Sequence, residues 1–330
     1  MIRILIKTFS LIFVFLIQMQ KSNSQGFTIS GTQLLDARKN EFIIRGVNNP
    51  HRWFYRESLK SLKELNRLNV NCIRIIWTSD GNAGKLDNIL RNCIQLGMIP
   101  MIELHDATGS NKTDLLMKLV SYYTSDKIKD VLKKYEKYLL LNVANEWGDH
   151  HLPGETWKST YMHAIDSLRN AGYICPIVID APGWGQNLEI VLQYGKILIN
   201  HDPLKNILFS VHMYFYWNNP DKIEKELQKA HDMQLPLIVG EFGYNYDNGN
   251  NNLKCMVDHK TVLRKCQELG YGYMPWSWSG NNNDNAWLNM CDPNDWKTLT
   301  WWGRQLFEDE NGITRTAKKA SVFIQMKGNP

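Results

Sequence analysis

Two acids stand at the ends of two buried-looking runs. "LLLNVANEWGD" (139–149) is apolar apart from Asn142 until it reaches Asn145-Glu146-Trp147, and "LPLIVGEFG", starting at Leu235, stops at Glu241. A strand that buries itself so thoroughly normally ends at a turn residue, so a carboxylate there asks for a chemical reason. Two carboxyl groups facing each other in an open groove suggest glycosidic cleavage, in which one stays protonated as the acid while the other is ionised. The ends of the other apolar runs carry Asn48 and Asn49, Arg74, Glu103 with His105 and Asp106, Asp180, His212 with Tyr214, and Trp276 with Trp278. Taken singly, Arg74 or His105 is as readily a satisfied core residue. Polar, titratable groups at nearly every run end form a ring that packing alone does not need.

Roles follow from residue type. Asn145, next to Glu146, can hold a sugar 2-hydroxyl; Tyr214 and Arg74 can keep Glu241 charged and aimed; His105 and His212 can hydrogen-bond the sugar and the carboxylates. Of the 12 tryptophans, Trp53, Trp147, Trp184, Trp217, Trp276 and Trp278 fall on or just after run ends. Their flat faces suit the apolar faces of pyranose rings, Trp276 foremost, whereas Trp301 and Trp302 in the last helical segment read as core filling. "GDHH" (148–151) has adjacent histidines but no further ligand at suitable spacing, so no metal is expected.

The elements that must position this ring alternate regularly. "FTISGTQLLDARKNEFIIRGVN" reads as a β-hairpin leading into a first buried strand, Phe42 to Gly46. Then comes a rhythm of amphipathic stretch and apolar run: Leu59, Leu62, Leu65 and Leu68 at helical spacing precede "NCIRIIW", and Leu86, Ile89, Leu90, Cys93 and Leu96 precede "MIPMIELHD". The alternation continues through "LLLNVANE", "PIVIDA", "ILFSVHMY", "LPLIVGE" and "YGYMPWSW", giving eight strands. Continuous apolar strands mean burial on both faces, as in a parallel sheet covered by helices. The segment after the first strand, "VNNPHRWF", lacks the glycine-rich turn of a doubly wound fold. The expected fold is therefore α/β: a (β/α)8 TIM barrel with a short N-terminal β-hairpin, one catalytic domain over 26–330, its active site at the C-terminal strand ends. Strands four and seven lie roughly opposite in such a barrel, so Glu146 and Glu241 face each other across its mouth.

Of the 330 residues, 43% are hydrophobic and 22% charged, and the net charge of +5 comes from lysines scattered over helix-like segments. With no basic stripe interleaved with aromatics, nucleic-acid binding is not expected. Residues 1–25 have Arg3 and Lys7, the apolar run Phe9 to Ile17, and small polar residues around Ser22 and Ser24. That run is shorter than the roughly 20 residues a membrane span takes; it matches a secretory signal peptide, implying a secreted, extracellular protein not held by a membrane. Six cysteines then become disulfide candidates. Helix two returns Cys93 to the level of Cys72, and Cys255 and Cys291 both lie on the catalytic side, so the pairs Cys72–Cys93 and Cys255–Cys291 are expected. The sequon Asn111-Lys112-Thr113 is a glycan acceptor.

From about Phe27 to Phe323, "RGVN", "IELHDATG", "NVANEW", "IDAPGWGQ", "VHMY", "IVGEFG" and "WSWSGN" occur in an order that resembles glycoside hydrolase family 5, most closely the bacterial-type endo-β-1,4-mannanases of subfamily 8. The resemblance implies a retaining hydrolase without cofactor, a monomer acting on β-mannan polysaccharides, with Glu146 as acid/base and Glu241 as nucleophile. It also implies Arg74, His105, Asn145, His212, Tyr214 and Trp276 around the cleaved sugar, and an endo-β-1,4-glucanase as the alternative. Three stretches depart from the pattern: Phe215-Tyr216, where those enzymes have Glu-Tyr; Tyr244 to Tyr246 with "DNGNNN", where they have a His and an acidic run; and the loop after Trp147.

Overall fold

The computed structural model describes residues 26–244 and 255–324; residues 1–25, where a signal peptide is expected, Tyr246 and the "DNGNNN" run lie outside them. Strands β1 (Thr28–Ser30) and β2 (Gln33–Leu35) pair antiparallel as the expected hairpin. Eight strands then form one sheet in sequence order: β3 (Gly46–Asn49), β4 (Cys72–Trp77), β5 (Ile99–Leu104), β6 (Leu140–Asn142), β7 (Ile177–Asp180), β8 (Ile207–Met213), β9 (Leu237–Phe242) and β10 (Gly272–Tyr273). All neighbours are parallel, and a bridge between Arg45 and Tyr273 closes the first strand onto the last. The fold is the (β/α)8 barrel.

Helices α1 (Tyr55–Arg67), α2 (Ala83–Gln95), α3 (Thr113–Thr124), α4 (Asp126–Tyr135), α5 (Gly154–Asn170), α6 (Leu188–His201), α7 (Pro220–Asp232) and α8 (His259–Leu269) connect the strands, and α9 (Trp301–Glu308) follows the last. Each turns its apolar stripe to the sheet. In α2, Leu86, Ile89, Leu90 and Cys93 are buried while the polar face stays in water. Asn82 caps α2 by accepting from the Lys85 amide, and Asn219 caps α7 just ahead of Pro220, which presets the first helical φ.

The apolar core divides at the sheet. One cluster fills the space between strands and helices. The other fills the floor of the lumen, with Cys72, Ile99, Met101, Leu140, Val178, Leu208 and Ile238 from the strands and Met274 just past β10. Phe42 and Ile44 join that floor together with Phe27 and Leu34 of the hairpin region. The run Phe42 to Gly46 is thus not a strand: its hydrophobicity plugs the barrel's bottom, and the first barrel strand begins only at Gly46.

The same division corrects the disulfide expectation. All six cysteines are free and buried. Cys72 points into the lumen floor while Cys93 packs outside the sheet, so the wall of the barrel stands between them. Cys255 donates its thiol to the Gly243 carbonyl at 3.2 Å, and Cys291 sits in the β-bridge with Leu299. Trp302 is buried as expected, but Trp301 keeps 37% of its surface. Asn111, the sequon residue, is exposed and exchanges two hydrogen bonds with Asp149.

Candidate active site

Above its floor the lumen turns polar. Asn48, Arg74, Glu103, Asn142, Asp180 and His212 are all fully buried there. Arg74 is the centre. Its Nε donates to Asn142 (3.0 Å), Nη1 to Asn48 (2.9 Å) and Glu241 (2.6 Å), and Nη2 to Asn145 (2.8 Å) and Asp180 (3.3 Å). A guanidinium has five N–H donors, and all are used. Burial works against this charge, but Glu103, Asp180 and Glu241 outweigh it and push the Arg74 pKa up.

Glu241 owes its placement to a β-bulge. The register between β8 and β9 runs from Val211–Val239 to His212–Glu241, leaving Gly240 as an extra residue. Only glycine fits, since a Cβ there would meet Ser210 Oγ at 2.1 Å. Glu241 then accepts from Arg74 on Oε1 and from Tyr214 Oη on Oε2 at 2.8 Å. Burial pushes its pKa up to about 7, and Arg74, His105 and the Tyr214 hydroxyl offset only part of that rise.

Glu146 is held differently. Its backbone is left-handed, φ +46°, an uncommon state for a residue with a side chain. Asp180 accepts from its amide at 3.1 Å, and its carbonyl accepts from the Gly109 amide at 2.9 Å, so both sides of the residue are pinned. The carboxyl group lies 2.7 Å from His212 Nδ1. Burial, then the negative charges of Glu241 and Asp180, push its pKa well up, so Glu146 is the acid of the pair that keeps its proton. His212 is driven neutral by burial and by Arg74. Its Nε2 stands 3.5 Å from the Asp180 carboxylate without a hydrogen bond, so the ring's one hydrogen bond to an acid is the Nδ1 contact with Glu146.

Over these groups opens a cleft of about 430 Å³ lined by His105, Asn145, Glu146, Trp184, Tyr214, Glu241 and Trp276 among others. Seven of the ten site residues read from the sequence therefore meet at its surface. Trp53 stands beside it, 53% exposed, with its ring edge-on to His105 at 5.4 Å. Arg74 and His212 do not line the cleft: both are fully buried beneath it and bond to the two carboxyl groups. Trp147, Trp217 and Trp278 are core residues, not platforms.

Reading by strand end undervalued Asp180, Glu103 and Asn142, whose parts show only once the barrel closes. It missed Trp287 and Leu288 in the loop after β10, along with Phe215, Tyr216, Gln186 and His150, as cleft walls. The exposed aromatic pair Phe215-Tyr216 was the available signal for those two. Glu146, His212 and Glu241 bring ligand-type atoms within 4.8 Å of one another. Those atoms are already engaged with each other, with Arg74 and with Tyr214, and we assign no metal ligand here.

The model of the family described as cellulase (glycosyl hydrolase family 5) matches residues 35–282. The chain belongs to glycoside hydrolase family 5. Within family 5 it is 33% identical to a mannan endo-1,4-beta-mannosidase of Salipaludibacillus agaradhaerens, over 92% of this chain and 97% of that one. A mannan endo-1,4-beta-mannosidase of Cellvibrio japonicus is 32% identical over 92% of this chain and 70% of its own length. The structure of a beta-mannanase from Thermomonospora fusca superposes with a TM-score of 0.84 at 31% identity, covering 91% of this chain and 99% of that one.

Proposed function

We propose that the protein is a secreted, retaining endo-β-1,4-mannanase that works as a monomer and needs no cofactor. The observation that carries the mechanism is the close pairing of two unlike acids. Carboxylate oxygens of Glu146 and Glu241 lie within 4.8 Å of each other, one acid bonded to a neutral imidazole and the other to a guanidinium. Retaining enzymes keep their acids about 5–5.5 Å apart, inverting ones roughly 6.5–9.5 Å to admit a water. Glu146 protonates the departing glycosidic oxygen while Glu241 attacks the anomeric carbon, giving a glycosyl-enzyme. Glu146, now a base, takes a proton from water as that water displaces Glu241. Asn145 is aimed for the sugar 2-hydroxyl, Tyr214 and Arg74 hold Glu241, and Trp276, Trp184 and Trp53 supply stacking faces.

The mannan preference is supported by two relatives that carry that name, one of them of similar length, and by the flanking motifs "HDATG", "APGWGQ" and "WSWSGN". Secretion is supported by the charge and hydropathy pattern of residues 1–25. The decisive assay is reducing-sugar release from galactomannan, glucomannan and carboxymethyl-cellulose side by side. The mannans should be cut well and the cellulose derivative poorly; faster cleavage of carboxymethyl-cellulose would make the protein an endo-β-1,4-glucanase. Proton NMR of the first product should show retained anomeric configuration, and inversion would remove Glu241 as nucleophile.

A further inference from the structure

Glu103 has no evident structural duty. It is fully buried in β5, and its side chain caps no helix and bridges no loop. Among the described residues its one side-chain hydrogen bond is to His105 Nδ1, at 2.9 Å, and Oε2 has no partner. A half-satisfied buried carboxylate is costly unless a cation stands by it. Arg74 is close enough to feel its charge but spends all five donors elsewhere. His105, by contrast, lines the cleft, packed between two tryptophans: edge-on to Trp53 at 5.4 Å and stacked on Trp276 at 5.8 Å with 26° between planes.

We infer that Glu103 is a positioning residue for catalysis, holding His105 as an imidazolium whose free nitrogen, Nε2, donates into the cleft beside Glu241. Both contacts suit a cation. The carboxylate takes Nδ1–H as a charge-assisted bond, and the Trp276 face attracts positive charge. The charged groups facing the ring are Glu103 from β5, Glu241 from β9 and Arg74 from β4, with the neutral, titratable His212 from β8 further off; Asp106 is tied instead to the amide and hydroxyl of Ser79. Burial and Arg74 oppose protonation of His105, and the two glutamates outweigh them, leaving its pKa raised. The imidazolium in turn helps keep Glu241 ionised. Glu103, His105 and Glu241 therefore alternate in charge from the lumen wall to the reacting carbon. Family 5 membership alone does not assign Glu103 this part, and the inference rests on the reading of Glu241 as nucleophile.

Glu103→Gln tests it, because the amide oxygen can still accept from Nδ1–H while the charge is gone. Nitrogen NMR of the His105 ring should show both nitrogens protonated at pH 7 in the unaltered protein and one deprotonated in the variant. The acid limb of kcat/KM on a mannooligosaccharide should move up by roughly one pH unit as Glu241 loses a neighbouring cation. Glu103→Asp, which keeps the charge, should stay nearer the unaltered limb. Adding Glu103→Gln to His105→Gln should change nothing further, since Glu103 acts through the ring. A neutral His105 in the unaltered protein, or superimposable acid limbs, would overturn the inference. Should the unaltered protein cut no mannan, the functional reading fails instead, and the ring-nitrogen measurement still decides the dyad.

Discussion

The floor and the mouth of the barrel are built from the same eight strands on opposite terms. On the floor, Cys72, Ile99, Met101, Leu140, Val178, Leu208, Ile238 and Met274 meet without one hydrogen-bonding side chain other than a thiol. One or two pleats higher, inward positions on the same strands carry Arg74, Glu103, Asn142, Asp180 and His212. The floor gains free energy by removing apolar surface from water. The mouth loses it, since buried charges rarely recover their desolvation even when paired. Stability is thus concentrated in one half of the lumen, and the other half is free to hold a strained, charged arrangement.

The sharpest test of this contrast is Glu241→Gln. It should cost at least about 10⁴-fold in kcat while leaving oligosaccharide binding and the melting temperature intact, measured by calorimetry. A large drop in melting temperature would mean the mouth also carries the fold. Next comes Arg74→Met, which strips the counter-charge from Glu241, Asp180 and Glu103 together. Breaking a buried pair on one side costs about 3–5 kcal/mol, so here both activity and denaturant midpoint should fall. Leu208→Ala on the floor should destabilise by about 2–5 kcal/mol with kcat unchanged at temperatures where the variant is folded.

The smallest effect is a pH dependence of stability. Burial raises the folded-state pKa of Glu146 above its unfolded value. The stability this group contributes is complete below the unfolded pKa of about 4.3 and is lost as pH rises toward the folded one. Glu146→Gln has no such loss, so its melting temperature relative to the unaltered protein should climb between pH 4 and pH 8. A gap that stays flat would show that Glu146 is not held protonated by the fold.

The strand ends were readable because continuous apolar runs that stop at polar residues leave few other architectures. Glu146 and Glu241 could be picked out from sequence for that reason, and Trp276 and Tyr214 with them. The Gly240 bulge could not, since nothing in "IVGEFG" says which neighbour slips register. Phe42 and Ile44 read as strand because a plug and a strand bury the same residue types. The Cys72–Cys93 expectation placed the two at the same height but not on the same side of the wall. Asp180 and Glu103 were visible as residues, yet Asp180 works through Glu146 and Arg74, 34 and 106 positions away, and Glu103, though bonded to nearby His105, faces a site that only closure of the barrel assembles.

The saturated guanidinium has a mechanical side. Its planar fork, rooted on β4, touches groups on or just beyond β3, β6, β7 and β9, and no donor can swing without dragging the other four. Five strand tips are therefore yoked into a collar that opens, if it opens, as one body. Amide exchange near Asn48, Asn142, Asp180 and Glu241 should then share a single opening rate, and the two acids should keep their spacing through thermal motion that blurs the loops around them.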